Sequence, residues 1–174
     1  MVAGMALLIS GCGAAASTEP TYGDLPTFLG SGTAQVDSVL TGTTARPALS
    51  VQGEAVQVQL GSAAVLVNVT GPDVPGEGMP KVQETTTCTW TVTLSGATAP
   101  IDLSVADFSS RDHLGADYRP TLVPGRPVPP RQVLPGHDVS FSLRAVMRTG
   151  EGLMIWTPAG ARPVAAWDFV VEND

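Results

Sequence analysis

The feature that most constrains this chain is a strict alternation over residues 85–94, which read TTTCTWTVTL. From Cys88 onward every second side chain is apolar, and the residues between them are threonines. Successive side chains of an extended strand point to opposite faces, and β-branched threonine is favoured in strands. The pattern therefore predicts a half-buried β-strand, with Trp90 as its largest inward side chain at the centre of a hydrophobic core.

The same two-residue period occurs elsewhere in the chain. Residues 54–60 and 63–69 alternate on either side of Gly61 and Ser62, which predicts a tight β-hairpin. Further strands are predicted over residues 100–108, 118–123, 138–147, 150–158 and 163–172. Short strands at a spacing of about ten residues, with turn residues between them and no helical pattern, are typical of a β-sandwich or barrel.

We expect an all-β fold, an antiparallel β-sandwich of about seven or eight strands. The inward positions of its strands define the expected core, which contains Cys88, Trp90, Val92, Phe141, Leu143, Trp167 and Phe169.

Four stretches depart from the alternation. Phe108 falls out of phase with the strand before it, which predicts a β-bulge near Ala106. Residues 109–117 predict a turn, and Pro120 marks a short strand at a sheet edge. The proline-rich residues 124–137 are either a polyproline ligand or, as we expect, a stiff crossover between two sheets.

Composition restricts the possible functions. The net charge is −7 and the nine basic residues are scattered, which argues against nucleic acid as a partner. Only 14% of residues are charged, and 19 glycines and 15 prolines favour turns and short strands over long helices. The bias towards Ala, Val, Gly, Pro and Arg is typical of a GC-rich genome, so we expect an actinobacterial source.

An apolar run over residues 1–9 leads into Ser10-Gly11-Cys12. This order resembles the lipobox of bacterial lipoprotein signal peptides: an aliphatic residue, a small residue, Gly or Ala, then Cys. The resemblance implies that Cys12 receives a diacylglycerol and becomes the new N-terminus, so that acyl chains hold the protein at the membrane. The alternative is a disordered, alanine-rich N-terminus with a chance cysteine. The basic residues that open such signals are missing, and we expect them upstream of a start codon assigned too far downstream.

Three segments are therefore expected. Residues 1–11 form the lipoprotein signal peptide. Residues 12–50, rich in Ala, Ser, Thr, Gly and Pro, form a lipid-anchored flexible tether, within which residues 34–40 could dock as an edge strand. Residues 51–174 form the folded domain.

The folded part also resembles a known family in the order of its motifs. CTWTVTL, SVADF, ADYRP, LPGHDVSFSL and WDFVV succeed one another as in the telokin-like, immunoglobulin-like domains of secreted actinobacterial proteins, which include small mycobacterial immunoprotective antigens. The resemblance implies an immunoglobulin-like sandwich outside the cytoplasm, with no assigned enzymatic activity and no catalytic residues to transfer. The Cys…Trp…Cys spacing of antibody domains is absent.

Cys88 lies two residues before Trp90, on the same face, so we expect a buried and inert thiol. Once Cys12 carries lipid, Cys88 has no partner in the chain for a disulfide. The alternative is a thiol that is reactive or bonded to another molecule.

Asp107, Asp112, His113 and Asp117 cluster in one predicted strand end and turn, where oxygen ligands could hold Ca²⁺. The spacing fits no EF-hand, and Asp in turns usually binds nearby backbone N–H groups, so we expect no metal. A triad through His113 or His137 would need an activated serine, but there is no G-x-S-x-G motif. Three methionines lack the clustering of a copper site, and we expect them to serve in packing: Met79, Met147 and Met154.

These observations favour a lipid-anchored, non-enzymatic module outside the cell membrane, which uses no cofactor and binds a protein or another envelope component. The alternative is a metal-handling, redox or hydrolytic lipoprotein that uses Cys88 or the turn at Asp112 and His113. We expect the binding surface in residues 71–80, in residues 109–117 or on the outer faces of the sheets.

Overall fold

The computed structural model describes residues 39–76, 83–160 and 162–171. The expected signal peptide, Cys12, Met79 and the tether up to residue 38 lie outside the described residues. The described residues form thirteen strands, which in chain order are β1 (Leu40–Gly42), β2 (Ala48–Val51), β3 (Ala55–Leu60), β4 (Ala63–Asp73), β5 (Thr85–Ser95), β6 (Ile101–Asp102), β7 (Phe108–Asp112), β8 (Asp117–Tyr118), β9 (Thr121–Leu122), β10 (Gln132–Val133), β11 (Val139–Arg148), β12 (Gly150–Trp156) and β13 (Ala165–Val171).

Two mixed sheets pack face to face. The larger has the order β1-β3-β4-β5-β11-β9, and the smaller has the order β2-β13-β12-β7-β8; β6 and β10 form a separate pair. The expected all-β, immunoglobulin-like sandwich is confirmed. Seven strands have five or more residues, which matches the expected number, and the other six have two to four. Not every pair is antiparallel, because β1 pairs parallel with β3 and β2 pairs parallel with β13.

The hairpin predicted around Gly61 and Ser62 is present as β3 and β4. Leu60 pairs with Ala63, and Gly61 takes a φ of +64°, a conformation that glycine adopts without steric cost. The strand predicted over residues 85–94 is β5, which lies between β4 and β11. Its inward side chains are fully buried, and most of its threonines are half-buried, since neighbouring strands cover both of its sides.

Aromatic contacts join the two sheets. Trp90 of the larger sheet meets Phe169 of the smaller one edge-to-face, with ring centroids 5.4 Å apart. Phe141 meets Phe108 in the same way at 5.7 Å, and Phe108 stacks on Trp156 at 5.9 Å. All seven residues of the expected core are at most 2% exposed. Trp156 and Phe108 are equally buried core residues that the prediction omitted.

The sandwich begins earlier than expected. The prediction places residues 40–50 in the tether, yet β1 lies at an edge of the larger sheet and β2 at an edge of the smaller one. Pro47 lies where the chain passes between them. A side chain at Gly42 would collide with the carbonyl oxygen of Val164, so this glycine allows two segments to approach closely. Gly42, one of the small residues that suggested a flexible tether, therefore has a role in packing.

The stretch before β7 also differs from the prediction. A 3₁₀ turn (Val105–Asp107), and not a β-bulge, brings Phe108 into the core. Ser104 caps this turn by accepting a hydrogen bond from the Ala106 amide at 3.2 Å. The expected turn over residues 109–117 begins later, because Phe108–Asp112 is strand β7.

Pro120 lies at a sheet edge as expected, but it separates two strands of different sheets. β8 closes the smaller sheet and β9 closes the larger one, so the chain changes sheets at Arg119 and Pro120. The proline-rich segment that follows is not a crossover between sheets, because it leads from β9 to β11, the neighbour of β9. No helix among residues 39–76, 83–160 and 162–171 is long and apolar enough to cross a membrane.

Candidate functional site

The aspartate-rich turn considered for metal binding is held together by Asp112. Its Oδ1 accepts hydrogen bonds from the amides of Leu114 at 3.0 Å and Ala116 at 2.9 Å. Its Oδ2 accepts one from the Tyr118 hydroxyl at 2.8 Å. Burial alone would raise the pKa of Asp112, but these hydrogen bonds outweigh it and lower the pKa below its usual value. The carboxylate therefore shapes the turn.

The other members of this cluster do not converge on a common point. Asp117 forms an ion pair with Arg111 at 2.8 Å, and this hydrogen bond is the main reason that the pKa of Asp117 is lowered. His113 packs against Gly150, where a Cβ atom would lie 3.0 Å from the imidazole ring. Within residues 39–76, 83–160 and 162–171, no three His, Cys, Asp or Glu side chains are placed to hold a metal ion.

The sulfur-containing side chains of the described residues are buried in the core. Cys88 is 0% exposed, and burial raises the pKa of its thiol to about 11. A thiol reacts as the thiolate, so neither condition favours the redox alternative. Met147 and Met154 are also fully buried, and Met147 Sδ accepts a hydrogen bond from Ser110 at 3.5 Å.

The structure places a basic hollow at an edge that the sequence analysis did not single out. It has a volume of about 440 Å³ and lies beside β9, where the outer face of the larger sheet meets β8 of the smaller one. Thr121 of β9 pairs with Arg144 of β11, so both side chains point to that outer face. The hollow is lined by Thr87, Tyr118, Arg119, Thr121, Arg144, Ala145 and Val146.

A second hollow adjoins the first on the other side of β9. Its volume is about 720 Å³ and its lining is mostly apolar. Leu122 follows Thr121 and points inward, towards the open side between the sheets. Arg119 and Thr121 line both hollows, so the two adjoin at the edge strand β9, and the pair of hollows is called the groove below. The second hollow is lined by Val105, Ala106, Phe108, Arg119, Pro120, Thr121, Leu122 and Gly160.

Two arginines give this groove a local positive charge in an acidic protein. The ion pairs in the described residues use Arg111 with Asp117 and Arg148 with Glu84, whereas Arg119 and Arg144 have no carboxylate within ion-pair distance. Arg119 contributes to the lowered pKa of Asp117, but that carboxylate is already bonded to Arg111. Both arginines are exposed, and neither is paired with a carboxylate within the part of the chain that the structure describes.

Sequence reasoning missed this groove because its two arginines come from distant positions. Arg144 lies in the predicted strand over residues 138–147, and Arg119 precedes a proline that marks an edge. Only the pairing of β9 with β11 brings them to one surface. The groove overlaps the predicted outer sheet face and lies beyond the end of the predicted loop over residues 109–117.

These features define an immunoglobulin-like β-sandwich with an arginine-bearing groove at one edge. A similar solved structure is that of MPT63, a secreted protein from Mycobacterium tuberculosis, with a TM-score of 0.50 and 14% identity over 71% of this chain and 98% of that one. A proposed lipoprotein from Bacillus subtilis, YcdA, gives a TM-score of 0.45 and 14% identity over 63% of this chain and 36% of that one. No protein-family model and no curated protein sequence matches the chain. At this identity the likeness to MPT63 shows the fold.

We expect Cys88 to resist thiol reagents in the folded protein. In a Cys12→Ala variant, which leaves one thiol, a disulfide reagent at pH 8 should label less than a tenth of the protein within hours, since the thiolate is scarce and buried. Addition of guanidinium chloride should give about one label per chain. Rapid labelling without denaturant would contradict a buried, inert thiol.

We expect Asp112→Ala to lower the melting temperature at pH 7 by about 5 °C or more, because two amides and the Tyr118 hydroxyl lose their acceptor. The pKa of Asp112 is lower in the folded chain than in the unfolded chain. Its stabilising effect is therefore complete above the unfolded pKa, near 3.9, and is lost as the pH falls through the folded value. The difference between variant and parent should shrink in acid.

The matched control is Asp168→Asn, because Asp168 is exposed and its carboxylate makes no hydrogen bond among the described residues. It should leave the melting temperature within about 2 °C of the parent at every pH. A pH-independent effect of Asp112→Ala would show that the charge of Asp112 is not what stabilises the turn.

Proposed function

We propose that this protein is a non-enzymatic binding module, held outside the cell membrane by lipid on Cys12, which binds an anionic component of the envelope through the groove across β9. The observation that carries the binding part is the pair of exposed arginines, Arg119 and Arg144, which have no carboxylate partner among the described residues. An arginine offers a planar set of donors that suits carboxylate and phosphate groups.

The anchoring part rests on the lipobox-like Ser10-Gly11-Cys12. Acyl chains contribute about 0.8 kcal/mol for each buried methylene, so more than one chain gives stable attachment. A location outside the cytoplasm agrees with the fold, which also occurs in the secreted protein MPT63. The burial of Cys88 makes a free thiol tolerable in an oxidising compartment. The residue bias and the motif order support an actinobacterial cell and the telokin-like family as the setting.

Anchoring is tested with the full chain and Cys12→Ala in an actinobacterial host. The parent protein should sediment with membranes and carry a diacylglyceryl mass on its N-terminal cysteine. The variant should appear in the soluble or secreted fraction, with Cys88→Ala as the control that stays in the membrane. Unchanged membrane association of Cys12→Ala would overturn the lipid anchor.

Binding is tested by placing a photo-crosslinking phenylalanine analogue at position 146 or position 170 in intact cells. Val146 is 64% exposed in the groove, whereas Val170 is 43% exposed on the smaller sheet, which makes it a matched control. Adducts should form at position 146 and be lost on Arg144→Glu. Arg131→Glu, at an exposed arginine outside both hollows, should leave them unchanged. Equal adducts at both positions would contradict the groove as the binding surface.

A further inference from the structure

We infer that the groove takes an anionic amphiphile, with its charged head between Arg119 and Arg144 and its single apolar tail in the hollow on the other side of β9. This inference rests on the proposed function and specifies the ligand of the same groove. The head is a phosphate or a carboxylate, which share the same recognition by arginine.

The head position is set by the outer half of the groove. Arg119 and Arg144 are both exposed and line the same 440 Å³ hollow. Thr87 and Thr121 add two hydroxyls to its lining, and neither makes a side-chain hydrogen bond among the described residues. The Tyr118 hydroxyl already donates to Asp112, which leaves its oxygen only as an acceptor. Two guanidinium groups and two free hydroxyls suit one compact anion.

The tail position is set by the inner half. Val105 and Leu122, both half-buried, come from two elements that border the open side between the sheets, and the buried ring of Phe108 lies beneath them. Among the described residues, Arg119 is the only ionisable side chain in the lining of this 720 Å³ hollow. Such a volume lies within the range of about 300–1,000 Å³ that small-molecule sites occupy. A purely ionic ligand would leave this half of the groove without a function.

The connection between the halves follows from strand geometry. Because side chains alternate along β9, Thr121 points to the outer face and Leu122 to the space between the sheets. Arg119 reaches both hollows from the segment where the chain changes sheets. A ligand that crosses β9 therefore meets charge on one side and apolar surface on the other, which is the order of groups in an amphiphile.

Charge also argues against a long polyanion. The net charge of −7 repels an extended anionic surface, whereas a single head needs only the local field of two arginines. A protein anchored at a bilayer has amphiphiles within reach.

The test is calorimetric titration of the full chain carrying Cys12→Ala, below the micelle concentration of each probe. Decyl phosphate and decanoate present the two anionic heads, and decyl maltoside presents the same tail with a neutral head. Inorganic phosphate and acetate present the heads alone. A preference for decyl phosphate indicates a single-chain phosphate lipid such as a lysophospholipid, and a preference for decanoate indicates a fatty acid.

One or both anionic decyl probes should bind at least tenfold more tightly than decyl maltoside and than the heads alone. From the hexyl to the decyl member, each methylene should lower the Kd about two- to fourfold. Arg119→Ala and Arg144→Ala should each weaken binding about tenfold, as expected for a charge-assisted hydrogen bond. Arg131→Ala is the matched control and should leave the Kd of each probe unchanged.

A variant of the tail half separates this inference from the proposed function. Ala106 is exposed in the second hollow, so Ala106→Glu should place a carboxylate there and remove the dependence on chain length without altering the fold. Equal binding of the heads alone, with no effect of Ala106→Glu, would overturn the amphiphile and leave an anion-binding groove. Retained cross-linking at position 146 without binding of any decyl probe would also overturn it. If neither cross-linking at position 146 nor binding of any decyl probe is observed, the proposed function is overturned as well.

Discussion

The edge-to-face contact between Trp90 and Phe169 is the interaction on which the rest of the sandwich depends. It joins the central strand of the larger sheet to the second strand of the smaller one. An aromatic side chain buries about 150–250 Å² and prefers this tilted arrangement, because the positive edge of one ring meets the negative face of the other. The contact therefore fixes both the spacing of the sheets and the faces they turn towards each other.

The structure of the sandwich edges depends on this packed centre. Sheets whose inner faces are occupied by large rings leave open sides, and the chain covers them with short segments that change sheets near Pro47 and at Pro120. At Pro120 the covering is incomplete, because β9 contains only two residues. The groove lies at this gap, where apolar surface between the sheets meets Arg119 and Arg144 on the outside. The candidate site is thus a consequence of how one edge is closed.

Much of the fold was predictable from local patterns. The hairpin at Gly61 and the alternation around Trp90 each follow from interactions within about ten residues, so sequence alone was sufficient. The predictions were wrong where contacts between residues far apart in the sequence determine the local structure. Gly42 seemed to belong to a flexible tether, but its lack of a side chain allows contact with a carbonyl oxygen more than a hundred residues away. The 3₁₀ turn before Phe108 brings this side chain into the core, and a two-residue alternation does not predict such a turn.

The sequence by itself determined that this chain is a β-sandwich and that seven named side chains enter its core, because alternation and turn residues act over short distances. It also contains the lipobox-like order Ser10-Gly11-Cys12, which is a linear motif and needs no tertiary structure to be recognised. Only the tertiary structure decided that Asp112 shapes a turn, that Gly42 lies against the carbonyl oxygen of Val164, and that Arg119 and Arg144 share a groove. Each of these depends on which strands pair and which edges close, and pairing brings together residues whose separation along the chain carries no local signal.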